Sequence, residues 1–344
     1  MRISTSLPGG KAGIPDITMA RHLESLGYDA VSMPDLIIGD GTPGFDPTLV
    51  LAAVAAVTEE IKLEFGVLTL PLRPAAWVAA QIQTLQHLSG NRVVLGVGIG
   101  GFPGSPFWRA VGAPSQGHRG RRTDAALEAL PRLIRGEPVE VAHEAEVGNE
   151  PRSGNEPRSG NEPRSGNEVR SGMSVASERG ADTGKGAVAG TVEVVLAPPA
   201  PVPPILIGGN SEAAMRRAVL HGDGWMPSLI SPQALARKAA RLREIADEFG
   251  RPVPEISVGG HAFLASDTDA ALKTFVRSLV DVHGMSTEEA EGVAVTGSPA
   301  QVAERLAAYA AAGADAVGFG LDGGEWPRQA ELLAEARTQA AQRA

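Results

Sequence analysis

Eight times along this chain a short apolar run gives way to a segment with helical spacing. The runs lie at about 3–7, 29–33, 62–70, 93–98, 204–209, 224–227, 255–265 and 313–319. Runs without polar alternation mark strands covered on both faces, and strands that alternate with helices pair in parallel. Two architectures meet that constraint: a closed (β/α)8 TIM barrel and an open doubly wound α/β sheet. Eight units in 344 residues favour the barrel, as one domain over 1–344. Either architecture collects ligands at the carboxyl ends of its strands. Asp35, residues 70–73, Gly98 to Gly101, Gly208 to Ser211 and His261 are therefore expected on one face.

The helical segments carry their own punctuation. Asp16 is placed to cap a helix over 17–27 that Gly27 stops, and Asn210 or Ser211 to cap one ending near 221. Ser298, with Pro299 in the first turn, opens a helix that reaches 312. Helical spacing also covers about 74–88, 119–135, 232–249, 268–282 and 327–341. A helix over 48–59 has almost no polar face, which points to burial or to a subunit contact.

One segment stands apart. Asn-Glu-Pro-Arg-Ser-Gly recurs at period six from 148 to 172, the last copy reading Asn167-Glu168-Val169-Arg170-Ser171-Gly172. A unit this short, with no core residue apart from Val169, cannot pack on itself. Residues 144–190 read as a disordered, charge-balanced, low-complexity insertion between strands four and five. It is either a slipped repeat in a tolerant loop or a tether for a partner.

Composition excludes whole classes of partner. A net charge of −9 argues against a nucleic-acid surface. No apolar run reaches the ~18 residues that span a bilayer, and no secretory leader or membrane association is expected. Zero cysteines exclude disulfides, thiolate nucleophiles and cysteine metal sites, and fit the cytoplasm. The seven histidines form neither H-x-H nor H-E-x-x-H, so no metal is expected.

Gly96-Val97-Gly98-Ile99-Gly100-Gly101 matches G-x-G-x-x-G in form only. A dinucleotide fingerprint opens directly into a helix, which Phe102-Pro103-Gly104-Ser105-Pro106 forbids, and no acidic strand end follows at the right distance. Those glycines either bring bare backbone to a bound group or simply close the barrel. Gly208-Gly209-Asn210-Ser211 is the better anion site, since free N–H groups at a helix start stand beside an amide and a hydroxyl; an ordinary capped helix is the alternative. His118, in a strand-to-helix loop, and His261, near a strand end, are candidate proton donors. Asp35, after the second strand, is a stronger candidate, with a helix cap as its alternative role. Arg73 is either an anion holder or a surface ion-pair partner.

Taken in order, several of these motifs resemble the luciferase-like monooxygenase family. They are Leu72-Arg73-Pro74, Leu85-Gln86-His87-Leu88-Ser89-Gly90-Asn91-Arg92, Val93 through Gly100, Pro204 through Ser211, Asp223-Gly224-Trp225, Gly297-Ser298-Pro299 and Gly313-Ala314-Asp315. The likeness covers most of the chain outside the insertion. It implies a (β/α)8 barrel that binds coenzyme F420, or alternatively FMN, at its carboxyl end. It further implies a non-proline cis peptide at Gly66–Val67 and an acidic residue near the ring at Asp35. The phosphate turn maps to Gly208, Gly209, Asn210 and Ser211, with Gly98 and Gly100 on the neighbouring strand. Many relatives have Asp-His after strand two, whereas this chain has Asp35-Leu36. The acid or base would then be Asp35 or His118.

The resemblance thus implies an oxidoreductase that moves a hydride between F420 and a small organic substrate, with a homodimer as the assembly. An FMN-dependent monooxygenase is the alternative within the family. A cofactor-binding or partner subunit without turnover, or a non-redox barrel lyase or hydrolase, are the alternatives outside it.

Overall fold

The computed structural model describes residues 1–9, 13–113, 118–143, 190–264 and 268–343. The expected insertion at 144–190 falls outside these, apart from its last residue. The chain opens with β1 (Arg2–Thr5), α1 (Met19–Ser25), β2 (Ala30–Met33) and α2 (Pro47–Ala55). Next come β3 (Lys62–Phe65), β4 (Leu68–Thr69), α3 (Ala75–Ser89), β5 (Val93–Gly98), α4 (Pro106–Ala110) and α5 (Arg119–Ile134). Strands β6 (Val139–His143) and β7 (Gly190–Val194) flank the undescribed insertion. They pair only with each other, as a separate two-stranded sheet. The chain continues with β8 (Ile205–Gly208), α6 (Glu212–His221), β9 (Gly224–Met226), α7 (Pro232–Phe249) and β10 (Glu255–Phe263). It ends with α8 (Asp269–His283), α9 (Thr287–Val293), β11 (Val295–Thr296), α10 (Pro299–Ala311), β12 (Ala316–Leu321) and α11 (Trp326–Arg343).

Eight strands close a ring in the order β1, β2, β3, β5, β8, β9, β10, β12, and every pairing is parallel. Closure comes from Glu255 and Ile256 of β10 against Gly224 and Trp225 of β9. The architecture is the (β/α)8 barrel, and the open sheet is excluded. Counted in barrel strands, the insertion lies between the fourth and fifth; counted along the chain, it lies between β6 and β7.

Three aspartates pin the amino ends of neighbouring strands. Asp29, Asp223 and Asp315 accept the N–H groups of Ile3, Ile205 and Ile256 at 2.7, 2.8 and 2.8 Å. Each stands just before its own strand and reaches back to the preceding barrel strand, which sets the register at the barrel floor. Arg92 performs the matching task beside β5. All five of its donors are satisfied, by carbonyls of Ala55, Thr58, Ile61 and Ser89 and by the Thr58 hydroxyl, at 2.7–3.0 Å. It thereby closes the carboxyl end of α2 onto the start of β3.

Local expectations differ from the structure in four places. The run over 62–70 is two strands, broken at Gly66–Val67. Asp16 does not cap α1: its carboxylate accepts from the N–H and hydroxyl of Thr18, and the helix starts at Met19. The Pro-rich stretch after the glycine strand yields a short helix, α4, capped by Ser105. Helix α9 opens with a capping box between Ser286 and Glu289 that periodicity over so few residues did not reveal.

Candidate functional site

Two adjoining cavities occupy the carboxyl ends of the strands. One, of about 410 Å³, is lined by Leu36, Val67, Gly98, Gly100, Gly208 and Gly209, among others. The second, of about 390 Å³, is lined by Ser32, Glu64, Met226, Ser257, His261 and Gly320, among others. Pro34, Leu36, Gly66 and Ser228 face both. A larger space of about 590 Å³ opens at the other end, among Arg2, Asp29, Lys62, Asp223 and Glu255. Those residues stand at the amino ends of strands, where (β/α)8 barrels keep stability rather than chemistry. The mouth is the candidate site.

Its back wall is the break between β3 and β4, and the Gly66–Val67 peptide there is cis. The Val67 side chain fills the room left by glycines on two neighbouring strands. A Cβ on Gly98 would stand 2.8 Å from Val67 Cγ2, and one on Gly208 would stand 3.0 Å from Val67 Cγ1. These glycines therefore admit Val67 before they admit a ligand, although both still line the cavity. Gly100, at φ +84°, has Trp108 directly behind it. Arg119, at the start of α5, donates to the carbonyls of Ile99 and Gly100 and lies 6.0 Å from the Trp108 ring centre. No motif pointed to Arg119, because it acts on backbone that precedes it by nineteen residues.

The turn over 208–211 is committed in part. Gly209, at φ +121°, donates to the Met226 carbonyl, and its own carbonyl accepts from Trp225 Nε1 at 2.8 Å. The Asn210 amide is spent in both directions on the Ser228 backbone, at 2.7 and 3.0 Å. Ser211 caps α6 by accepting from the Ala214 N–H, which leaves its own O–H to donate. Lys238 donates to the Asn210 carbonyl at 2.8 Å and brings a positive charge to the turn.

Asp35 lies at the expected end of β2, but not as a helix cap and not free. Its Oδ2 accepts from Arg73 at 2.6 Å and from the Thr69 N–H at 2.9 Å, while Oδ1 accepts from Arg73 at 3.1 Å. The carboxylate is 1% exposed and the arginine side chain 13%. Arg73 also reaches Asp46, the cap of α2, at 3.4 Å. Arg73 is thus neither a surface residue nor an open anion holder. The pair ties the loop after β2 to the end of β4.

The two histidines part company. His118 is exposed at the start of α5, with Nδ1 3.0 Å from Arg121, and it lines neither mouth cavity. His261 lines the second cavity, and its Nδ1 is 2.5 Å from Asp322 Oδ2. Glu64, which lies in the apolar run over 62–70, is buried and lines both this cavity and the space at the amino end. Burial pushes its carboxyl group above the usual range, against hydrogen bonds from Ser32 and Ser4 and the charge of Arg2. Among the described residues no His, Cys, Asp and Glu side chains are grouped to hold a metal ion, and no helix is long and apolar enough to cross a membrane.

The family model for luciferase-like monooxygenases matches residues 16–316. An uncharacterized protein of Mycobacterium tuberculosis is 30% identical over 257 residues, covering 69% of this chain and 73% of that one. An F420-dependent secondary alcohol dehydrogenase, solved with an F420–acetone adduct, superposes with a TM-score of 0.71 at 16% identity and covers 98% of both chains. EDTA monooxygenase from Chelativorans sp. BNC1 superposes with a TM-score of 0.65 at 19% identity, covering 100% of this chain and 94% of that one.

Proposed function

The chain belongs to the luciferase-like monooxygenase family, and we propose that it passes a hydride between coenzyme F420 and a small organic substrate in the barrel mouth. One observation carries this reading. A single cavity joins the Gly66–Val67 wall, the end of β5 and the Gly208–Gly209 turn. Its walls are mainly apolar, with Leu36, Ile37, Val67, Leu72, Ile99 and Trp108 among them. Between these lie the peptide groups of Gly66 and Gly98 to Gly101. Such walls suit a planar heteroaromatic ring that needs few, well-placed hydrogen bonds.

The turn suits the charged end of such a cofactor. First-turn N–H groups of α6, the Ser211 hydroxyl and the Lys238 ammonium favour a phosphate. Gly66 and Val67 would back the ring, and Gly208, Gly209, Asn210 and Ser211 would hold the phosphate. The adjoining cavity of about 390 Å³ is left for substrate. When bound, F420 supplies the hydride carrier. The chain contributes binding, orientation and the proton. The F420 complex of a neighbour with the same fold adds support.

Fluorescence titration of the full chain with F420 and with FMN tests the reading. Binding of F420 roughly tenfold tighter than FMN is expected, and failure of both to bind overturns it. FMN-dependent monooxygenation is the second reading, favoured by the monooxygenase neighbour; tighter FMN binding selects it.

A further inference from the structure

Hydride addition to a carbonyl or activated alkene leaves negative charge that a proton must quench. Leu36, at the mouth of both cavities, carries none. Among the described residues that line those cavities, three side chains carry a carboxyl or imidazole group: Asp35, Glu64 and His261. Both oxygens of Asp35 are engaged by Arg73 and the Thr69 N–H. Glu64 is buried, and its carboxyl group is held by hydrogen bonds from Ser4, at 3.3 Å, and from Ser32. The His261 side chain, at 40% exposure, is open to the cavity.

We infer that, granted the oxidoreductase reading, His261 exchanges the proton with a small carbonyl or enone substrate, and that Asp322 is its positioning residue. The ring is held from three directions. His261 on β10 pairs in register with Gly320 of β12, where a Cβ would press to 3.2 Å from Nδ1. Phe275 of α8 covers the ring with centroids 4.7 Å apart. Asp322, just past β12, approaches Nδ1 to 2.5 Å and is the charged group that contacts the imidazole from these elements. A carboxylate only accepts, so Nδ1 keeps its hydrogen and Nε2 is the nitrogen left for exchange.

In the reductive direction bound reduced F420 would supply the hydride to the substrate carbon, and the carbonyl π pair would move to oxygen. The Nε2–H bond then breaks to give that oxygen its proton. The neutral imidazole recovers a proton from water.

The test uses the full chain with His261→Gln and Asp322→Asn. The tautomer of the His261 imidazole is read from its ring-nitrogen resonances by NMR in the wild-type and Asp322→Asn chains. Reduction of cyclohex-2-enone by reduced F420 is followed for all three from pH 5 to 9. Loss of the carboxylate is expected to release the Nδ1–H tautomer in favour of Nε2–H and to lower kcat on the order of tenfold or more. His261→Gln is expected to lose on the order of 10²–10⁴ in kcat, with an F420 affinity within about twofold of wild type. A tautomer unchanged by Asp322→Asn, or wild-type kcat in His261→Gln, overturns the inference. A chain that binds neither F420 nor FMN overturns the oxidoreductase reading instead, and the imidazole tautomer still decides the His261–Asp322 pairing.

Discussion

Val67 occupies the space above Gly98 so closely that a Cβ on that glycine would stand 2.8 Å from Val67 Cγ2. The wall of the candidate cofactor site is therefore a packed joint between two strand ends. Gly98→Ala overfills it and should cost about 1–3 kcal/mol. Removing the opposing methyls in Val67→Ala/Gly98→Ala should recover most of that loss. Urea denaturation of the two single variants and the double variant measures the coupling. Additive effects would mean that the glycine serves the ligand alone.

The Asp35–Arg73 pair predicts an asymmetry of its own. Removing either partner strands a buried charge, so Asp35→Ala and Arg73→Ala should each lose about 3–5 kcal/mol. Replacing both by apolar residues, as in Asp35→Leu/Arg73→Met, should lose much less, because neither desolvated charge remains. Denaturant midpoints for the three variants check this. Equal losses in the single and double variants would show that the loop depends on the ion pair itself.

How far the sequence revealed this molecule follows from how local each signal is. Barrel strands such as Val93–Gly98 and Ile205–Gly208 stand out because each carries its apolar run and glycine stop within a few residues. The break at Gly66–Val67 was hidden from periodicity by the unbroken apolar character around it, and only the family resemblance marked it. Pairings were invisible altogether. Asp35 and Arg73 lie 38 residues apart, and His261 and Asp322 lie 61 apart. Barrel closure alone brings such partners together. Sequence reasoning placed Asp35 at the right end of the right strand but had no means of seeing that its charge was already matched. It placed His118 in a suitable loop, but the start of α5 turns that ring toward Arg121.

The hexapeptide repeat yields a prediction from its composition. Val169 is the one large apolar residue in 148–172, so the repeat offers a core almost nothing. A chain lacking 148–172 should keep the thermal midpoint and the cofactor affinity of the full chain. A clear drop in either would assign the repeat a part in the folded protein.

Glu64 makes the pH dependence of stability a probe of the barrel interior. Its carboxyl group is buried, accepts from Ser4 and Ser32, and has its folded-state pKa raised above the unfolded value of 4.5. A carboxyl group raised in this way binds its proton more tightly in the native state. Its contribution to stability is therefore complete below pH 4.5 and fades as pH climbs through the raised folded value. The sign is opposite to that of a salt-bridged surface carboxylate. Glu64→Gln keeps the shape and a hydrogen-bonding head but has no proton to lose. The variant should match wild type near pH 4.5 and grow more stable relative to it toward pH 8, a difference read from urea denaturation at several pH values. A gap that stays constant over that range would mean that Glu64 is ionised in the folded barrel, with its charge balanced from the Arg2 side.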